Sequence, residues 1–208
     1  APQRIVHGWA ALADAVAIGC ALSPLLLLLS GARLGILASN ALDIENRRPY
    51  SVALQARLLE PALLKLGAAA TGLTWTRAFA AEVAALSIAI VVATTVAFRQ
   101  YVGAWSEGLR YGALQAVALV LLHDPEWLHL WDLVDVLIAT AFGYAVATRA
   151  RLPVFAALFV VGLANRESAL FIPLWVTLSA LPSRREARPF QPTRFALSLG
   201  GMGLGLAA

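Results

Sequence analysis

Apolar runs of membrane-crossing length recur along this chain and leave it few ways to fold. They are Trp9–Leu29, Ala78–Phe98, Leu109–Leu122, Leu133–Thr148, an interrupted stretch from Pro153 to Leu181, and a run from Phe195 that is still apolar at Ala208. A helix needs about 20 apolar residues to cross a bilayer, and in hydrocarbon only helices and closed barrels satisfy every backbone N–H and C=O. Composition agrees: 60% of the residues are hydrophobic and 13% are charged, against about 25% charged in a soluble domain. A water-soluble globule is excluded. So is a disordered chain, which requires low hydrophobicity and high charge. The expectation is an all-α polytopic transmembrane helical bundle, with residues 1–208 forming a single integral membrane domain of about six or seven spans. Pro24 is expected to kink the first.

The other counts exclude more than they assign. Cys20 is the one cysteine, so no intramolecular disulfide forms. The net charge of +4 comes from arginines that mostly flank apolar runs. That is not a nucleic-acid footprint, and no nucleic-acid partner is expected. The opening APQRIVHGWA leads into the first apolar run without a cleavable leader pattern.

Basic residues mark the cytoplasmic ends of spans. With Arg4 inside, Arg99, Arg110, Arg149, Arg151 and the basic loop 182–194 also fall inside. The stretch Pro153–Leu181 must then go out and return as a short hairpin or re-entrant pair, turning at Asn165-Arg166-Glu167. Each arm has about 12–14 residues, roughly 18–21 Å at the helical rise. The competing arrangement is one long tilted helix with a buried Arg166–Glu167 pair. The hairpin is preferred because it keeps two charges out of hydrocarbon. This topology predicts an inner (cell) membrane protein with a cytoplasmic N-terminus. Loop 30–77, the segment His123–Asp132 and the Asn165–Glu167 turn then share the outer face. The outer loop's own basic residues run against the charge rule, which long loops obey less strictly.

Three polar segments carry what chemistry there is. In the outer loop, Asp43 and Glu45 precede Arg47 and Arg48. Carboxylates deprotonate a hydroxyl or hold a divalent cation, and arginine binds phosphate oxygens through paired donors. The residues alone favour a solvated loop with mutually neutralising charges. Ser51–Leu66 follows as an interfacial helix bent at Pro61. In the second segment Trp127 and Trp131 suit the headgroup level. Glu126 and His129 have a di-iron ligand spacing but lack the further ligands such sites need. Asp132 and Asp135 are expected to cap a helix or bind an arginine. In the third, Asn165 is expected to cap the following helix and Glu167 to favour its N-terminus. Glu107 and Arg110 form a helix-surface pair, and Gly201 and Gly205 give a close-packing face rather than a phosphate loop.

Together these residues resemble a known family. Leu163-Ala164-Asn165-Arg166-Glu167-Ser168-Ala169-Leu170 resembles the Asn-Arg-Glu-Thr-Ala-Leu pattern of GT-C superfamily polytopic glycosyltransferases, with Ser168 in place of the usual Thr. Trp131-Asp132-Leu133-Val134-Asp135 resembles a segment preceding that pattern. Asp43-x-Glu45 is similar to the superfamily's loose acidic signature. Arg48-Pro49-Tyr50 with Arg57-Leu58-Leu59-Glu60-Pro61 is similar to a run in the same loop. The resemblance spans roughly residues 10–181. It implies an extracytoplasmic, inverting transfer of sugar from a polyprenyl-phosphate donor. Asp43 would be the base, assisted by Glu45, and Arg47, Arg48 or Arg166 would neutralise the departing phosphate. Some members use a divalent cation. Asn165 and Glu167 join the substrate-binding set, and membrane lipids are the expected surroundings. The alternative is a non-catalytic accessory subunit that packs against partner membrane subunits of a larger complex.

Overall fold

The computed structural model describes residues 2–30, 59–122 and 129–181, with a few further positions between 191 and 200. All the regular structure among them is helical. α1 is Pro2–Ser30, α2 Leu59–Thr71, α3 Trp75–Val102, α4 Trp105–Leu121 and α5 Leu130–Ala147. α6 is Leu152–Asn165, a 3₁₀ turn covers Glu167–Leu170, and α7 is Phe171–Ala180. Gly8–Leu29 within α1, all of α3 and all of α5 are long and apolar enough to cross a membrane. The chain is therefore a helical membrane protein. α6 and α7 are apolar but shorter, and α4, of 17 residues, carries Glu107 and Arg110. α1 runs through Pro24 as one helix.

Local chemistry sets where the helices stop. α3 ends because Gly103 takes a left-handed conformation (φ 78°) and its N–H bonds the Arg99 carbonyl at 2.8 Å. α4 starts two residues later and returns along α3. The two pack closely because Gly108 and Gly112 of α4 face the backbone and side chain of Thr95. Without a hydrophobic drive between helices in lipid, such small-residue contacts supply the association. α1 closes on α3 in the same way, through Gly19 against Ile88.

Two apolar clusters result. Ala15, Leu22 and Leu26 of α1 join Leu64 of α2, Phe79, Val83, Ile90 and Val91 of α3, and Leu130 and Leu133 of α5. Val134, Ile138 and Ala145 of α5 join Phe155 of α6 and Ile172 and Val176 of α7. Leu86 of α3 touches both clusters.

The second cluster shows how Pro153–Leu181 runs. Phe155 and Trp175 stack with ring centroids 5.3 Å apart, and both meet Phe142 edge-on. In one straight helix these two residues would be about 30 Å apart. The chain reverses between them, and the single long helix is excluded. Gly162 makes the reversal tight: its carbonyl accepts the Arg166 N–H at 2.7 Å, and Ala169 packs where a side chain would stand.

The two ends of the bundle carry different polar groups. At one end Arg99 lies over the Trp105 ring at 4.6 Å, and Trp105 packs beside Gly8. There too the Tyr101 hydroxyl donates to the Gly143 carbonyl, and Arg110 pairs with Glu107. Arg149 and Arg151 lie in the adjoining α5–α6 turn. The opposite end carries Arg77 at the start of α3, with His129, Asp132, Asp135, Asn165, Arg166 and Ser168.

The helix expected over residues 51–66 is described with other bounds. α2 extends past Leu66 to Thr71, burying Pro61 and Leu64 while Leu63, Lys65 and Leu66 stay exposed. Residues 51–58 lie outside the described set, as do the loop 182–190, Arg194 and the glycines from Gly201 onward.

Gly112→Val drives a branched side chain into Thr95 and the Val91 carbonyl. It should cost about 1–3 kcal/mol, seen as a lower thermal midpoint in detergent. Gly67→Ala, which meets open space on α2, should leave that midpoint unchanged or raise it slightly.

Candidate functional site

The polar end of the bundle is built from the first turn of α5 and the break after α6. Asp132 and Asp135 are three residues apart, so both carboxylates project from one face of the helix. Leu130, Trp131, Leu133 and Val134 around them are buried. On the other side α6 stops at Asn165, and Arg166 adopts an extended backbone (φ −166°, ψ 151°) that redirects the chain into the 3₁₀ turn.

Asn165 is fully buried. Its Nδ2 donates to the Trp131 carbonyl at 2.9 Å and to Asp135 Oδ1 at 2.8 Å. One carboxamide thus fastens the end of α6 to the start of α5. Arg166 donates to Asp132 Oδ1 at 2.9 Å and lies 3.7 Å from Asp135 Oδ2. The Ser168 hydroxyl donates to Asp135 Oδ2 at 3.0 Å. Asp135 therefore accepts from two side chains on the far side of the break and forms an ion pair with a third. The Asn165 Oδ1 is buried and accepts no hydrogen bond among the described residues. Such an acceptor is costly unless a donor reaches it.

The charges do not cancel. One guanidinium faces two carboxylates, so these three groups carry one net negative charge. The Arg166–Asp132 pair is about one-third exposed on both sides, so its energetic worth is small, about 0–1 kcal/mol. Its role is orientation. Beside the cluster a cleft of about 260 Å³ opens between α5 and the 3₁₀ turn, lined by Asp135, Ile138, Ala139, Ser168, Ala169 and Phe171. A carboxylate and a hydroxyl thus stand at the edge of an otherwise apolar recess.

Two expectations are corrected here. Asn165 does not cap the helix after it; no side-chain cap bond forms there, and its amide spans to α5 instead. Burial decides this, because a carboxamide inside the bundle must satisfy both N–H donors and finds a carbonyl and a carboxylate across the interface. Trp131 is not an interfacial ring. It is 1% exposed and stacks on His129 at 4.0 Å, because it packs inward with Leu130 and Leu133, which the bundle also buries.

The expected arginine partner of Asp132 and Asp135 is Arg166. Of the sequence-derived set, Asn165 and Arg166 meet at this cluster, and Glu167 opens the 3₁₀ turn. The Glu167 side chain, Asp43, Glu45, Arg47 and Arg48 lie outside the described residues, as do Glu126 and Trp127. Among the described residues no group of three or more His, Cys, Asp or Glu side chains could hold a metal ion.

Sequence reasoning passed over Glu82. It sits half-buried in α3, with no side-chain hydrogen bond or ion pair among the described residues. It is four residues before Leu86, on the same helix face. The available signal was its isolation, as the one charge between Arg77 and Arg99 in an apolar run. An ionisable residue in a membrane helix is a functional candidate by default.

Asn165→Leu strips the donors from the Trp131 carbonyl and Asp135. It should cost about 1–3 kcal/mol, read as a fall in thermal midpoint in detergent. Asn165→Asp should cost more, because it sets a second carboxylate against Asp135.

No family model matches the chain, and neither a characterised protein nor a solved structure shows a significant similarity to it.

Proposed function

We propose that the chain is a membrane glycosyltransferase of GT-C type, moving sugar from a polyprenyl-phosphate donor to an extracytoplasmic acceptor. In this reading the end that carries Asp132, Asp135 and Arg166 faces outward, and the end that carries Arg99, Arg110, Arg149 and Arg151, with the N-terminus, faces the cytoplasm of a cell whose inner membrane holds the protein. α4, α6 and α7 complete six crossings with α1, α3 and α5. The thin arms α6 and α7 are covered by protein on their flanks.

The observation that supports the reading is the placement of Asp135 and Ser168 at the edge of an apolar cleft. An amphiphile needs that combination: polar groups for its head and apolar walls for its chain. Asp43 takes the proton of the attacking acceptor hydroxyl while the anomeric carbon exchanges its bond to phosphate oxygen for one to the acceptor. The electron pair of the broken bond leaves on the lipid phosphate. Arg47 and Arg48, rather than Arg166, neutralise that charge, since Arg166 is already engaged by two aspartates.

That same engagement favours a second reading, an accessory subunit whose polar cluster serves only to lock its own helices. The two readings separate in proteoliposomes given a polyprenyl-phosphate sugar and an acceptor. Asp43→Asn should reduce transfer about 10²–10⁴-fold, the usual worth of a general base, with expression and thermal midpoint unchanged. Undiminished transfer would remove Asp43 from the mechanism. If the unaltered protein transfers nothing, and disrupting Asp135 lowers recovery of a larger complex, the accessory reading stands.

A further inference from the structure

On the side of α5 away from α6, a groove of about 700 Å³ runs between α3, α4 and α5. Its floor is Val136, Ala139, Thr140 and Gly143 of α5. A Cβ placed on Gly143 would meet nothing within 4 Å. Its walls carry Phe98, whose ring stacks on Tyr111 at 4.1 Å.

Polar side chains lie where lipid cannot serve them. Gln115 lines the groove ten residues into α4, about 15 Å from the Trp105 end, near the midplane of a hydrocarbon layer about 30 Å thick. It makes no side-chain hydrogen bond among the described residues. Thr94 lines the same groove eight residues before the end of α3, about 12 Å deep. Its Oγ1 is buried and without a partner among the described residues. A lipid tail has no donor or acceptor at that depth, and its ester carbonyls lie near the surface. Only another protein helix brings a polar group to the midplane, and small-residue floors are where helices approach.

The chemistry of Gln115 also says which helix. A two-fold axis along the membrane normal brings each residue against its counterpart at equal depth. A carboxamide carries both a donor and an acceptor, so it pairs with its own copy. The exposed edge of α4 (Tyr111, Leu114 and Val117) lies beside the groove on the same helix. One helix thus offers both a ridge and a groove wall, as a self-complementary contact requires.

We propose that this face is a homodimer interface, in which the Tyr111–Leu114 edge of each copy's α4 enters the other's groove and the two Gln115 carboxamides bond to each other. The interface does not require the reaction proposed above, although the groove shares Val136 and Ala139 with the cleft beside Ser168.

Crosslinking in native membranes tests it. In a Cys20→Ser background, which removes the exposed native thiol, Leu114→Cys should give a crosslinked dimer with a short bis-maleimide. Val160→Cys, exposed on α6, should not. Adding Gly143→Leu fills the groove without a clash at its Cβ and should lower the Leu114→Cys crosslink about ten-fold. Gln115→Leu should lower it about three- to ten-fold, the range of one to two interhelical hydrogen bonds in a membrane. Each of four results would overturn the proposal. They are a Leu114→Cys protein that stays monomeric with an unchanged detergent elution profile, equal crosslinking at positions 114 and 160, a crosslink to a different protein, and no response to Gly143→Leu.

Discussion

The carboxamide of Asn165 is the interaction from which the polar end of the bundle follows. It is buried completely, and each of its hydrogens is committed, one to a backbone carbonyl and one to a carboxylate of α5. A polar group inside a low-dielectric bundle is tolerated only when it is bonded, so the end of α6 has little freedom to sit elsewhere. With that end anchored, Arg166 falls beside Asp132, and Ser168 falls beside Asp135. The cleft between α5 and the 3₁₀ turn is a consequence, since the turn is held off the helix by these polar contacts while Phe171 and Ile138 wall the space beneath.

The balance of charge at this end matters as much as its geometry. A guanidinium shared by two carboxylates has little positive potential to spare for a phosphate. The opposite end of the bundle carries Arg99, Arg110, Arg149 and Arg151, with Glu107 paired to Arg110.

Much of this was legible in the residues, for identifiable reasons. The break at Asn165-Arg166-Glu167 stands out because charge in a long apolar stretch is expensive, and α6 does end there. The i,i+3 spacing of Asp132 and Asp135 announces a shared helix face, and an arginine does occupy it. Local rules failed where the deciding partner is distant in sequence. Asn165 has the chemistry of a cap, yet its bonds run to residues 30 and 34 positions earlier. Trp131 has the amphipathic ring of a headgroup anchor, yet the bundle covers it. Glu82 was overlooked because a single carboxylate hardly alters the hydropathy of a 28-residue helix.

The sequence by itself determined that the chain is helical and embedded in a membrane. Backbone groups in hydrocarbon have no other way to be satisfied, and apolar runs of this length have no other solvent. It also pointed to Asn165-Arg166-Glu167 as the place where the stretch Pro153–Leu181 breaks. Tertiary structure decided which polar groups meet. Hydrogen bonds and close glycine contacts depend on helix rotation and register, and those are set by side chains far apart along the chain. The pairing of Arg166 with two aspartates, the cleft beside Ser168 and the open groove along α5 exist only once the helices have chosen their neighbours.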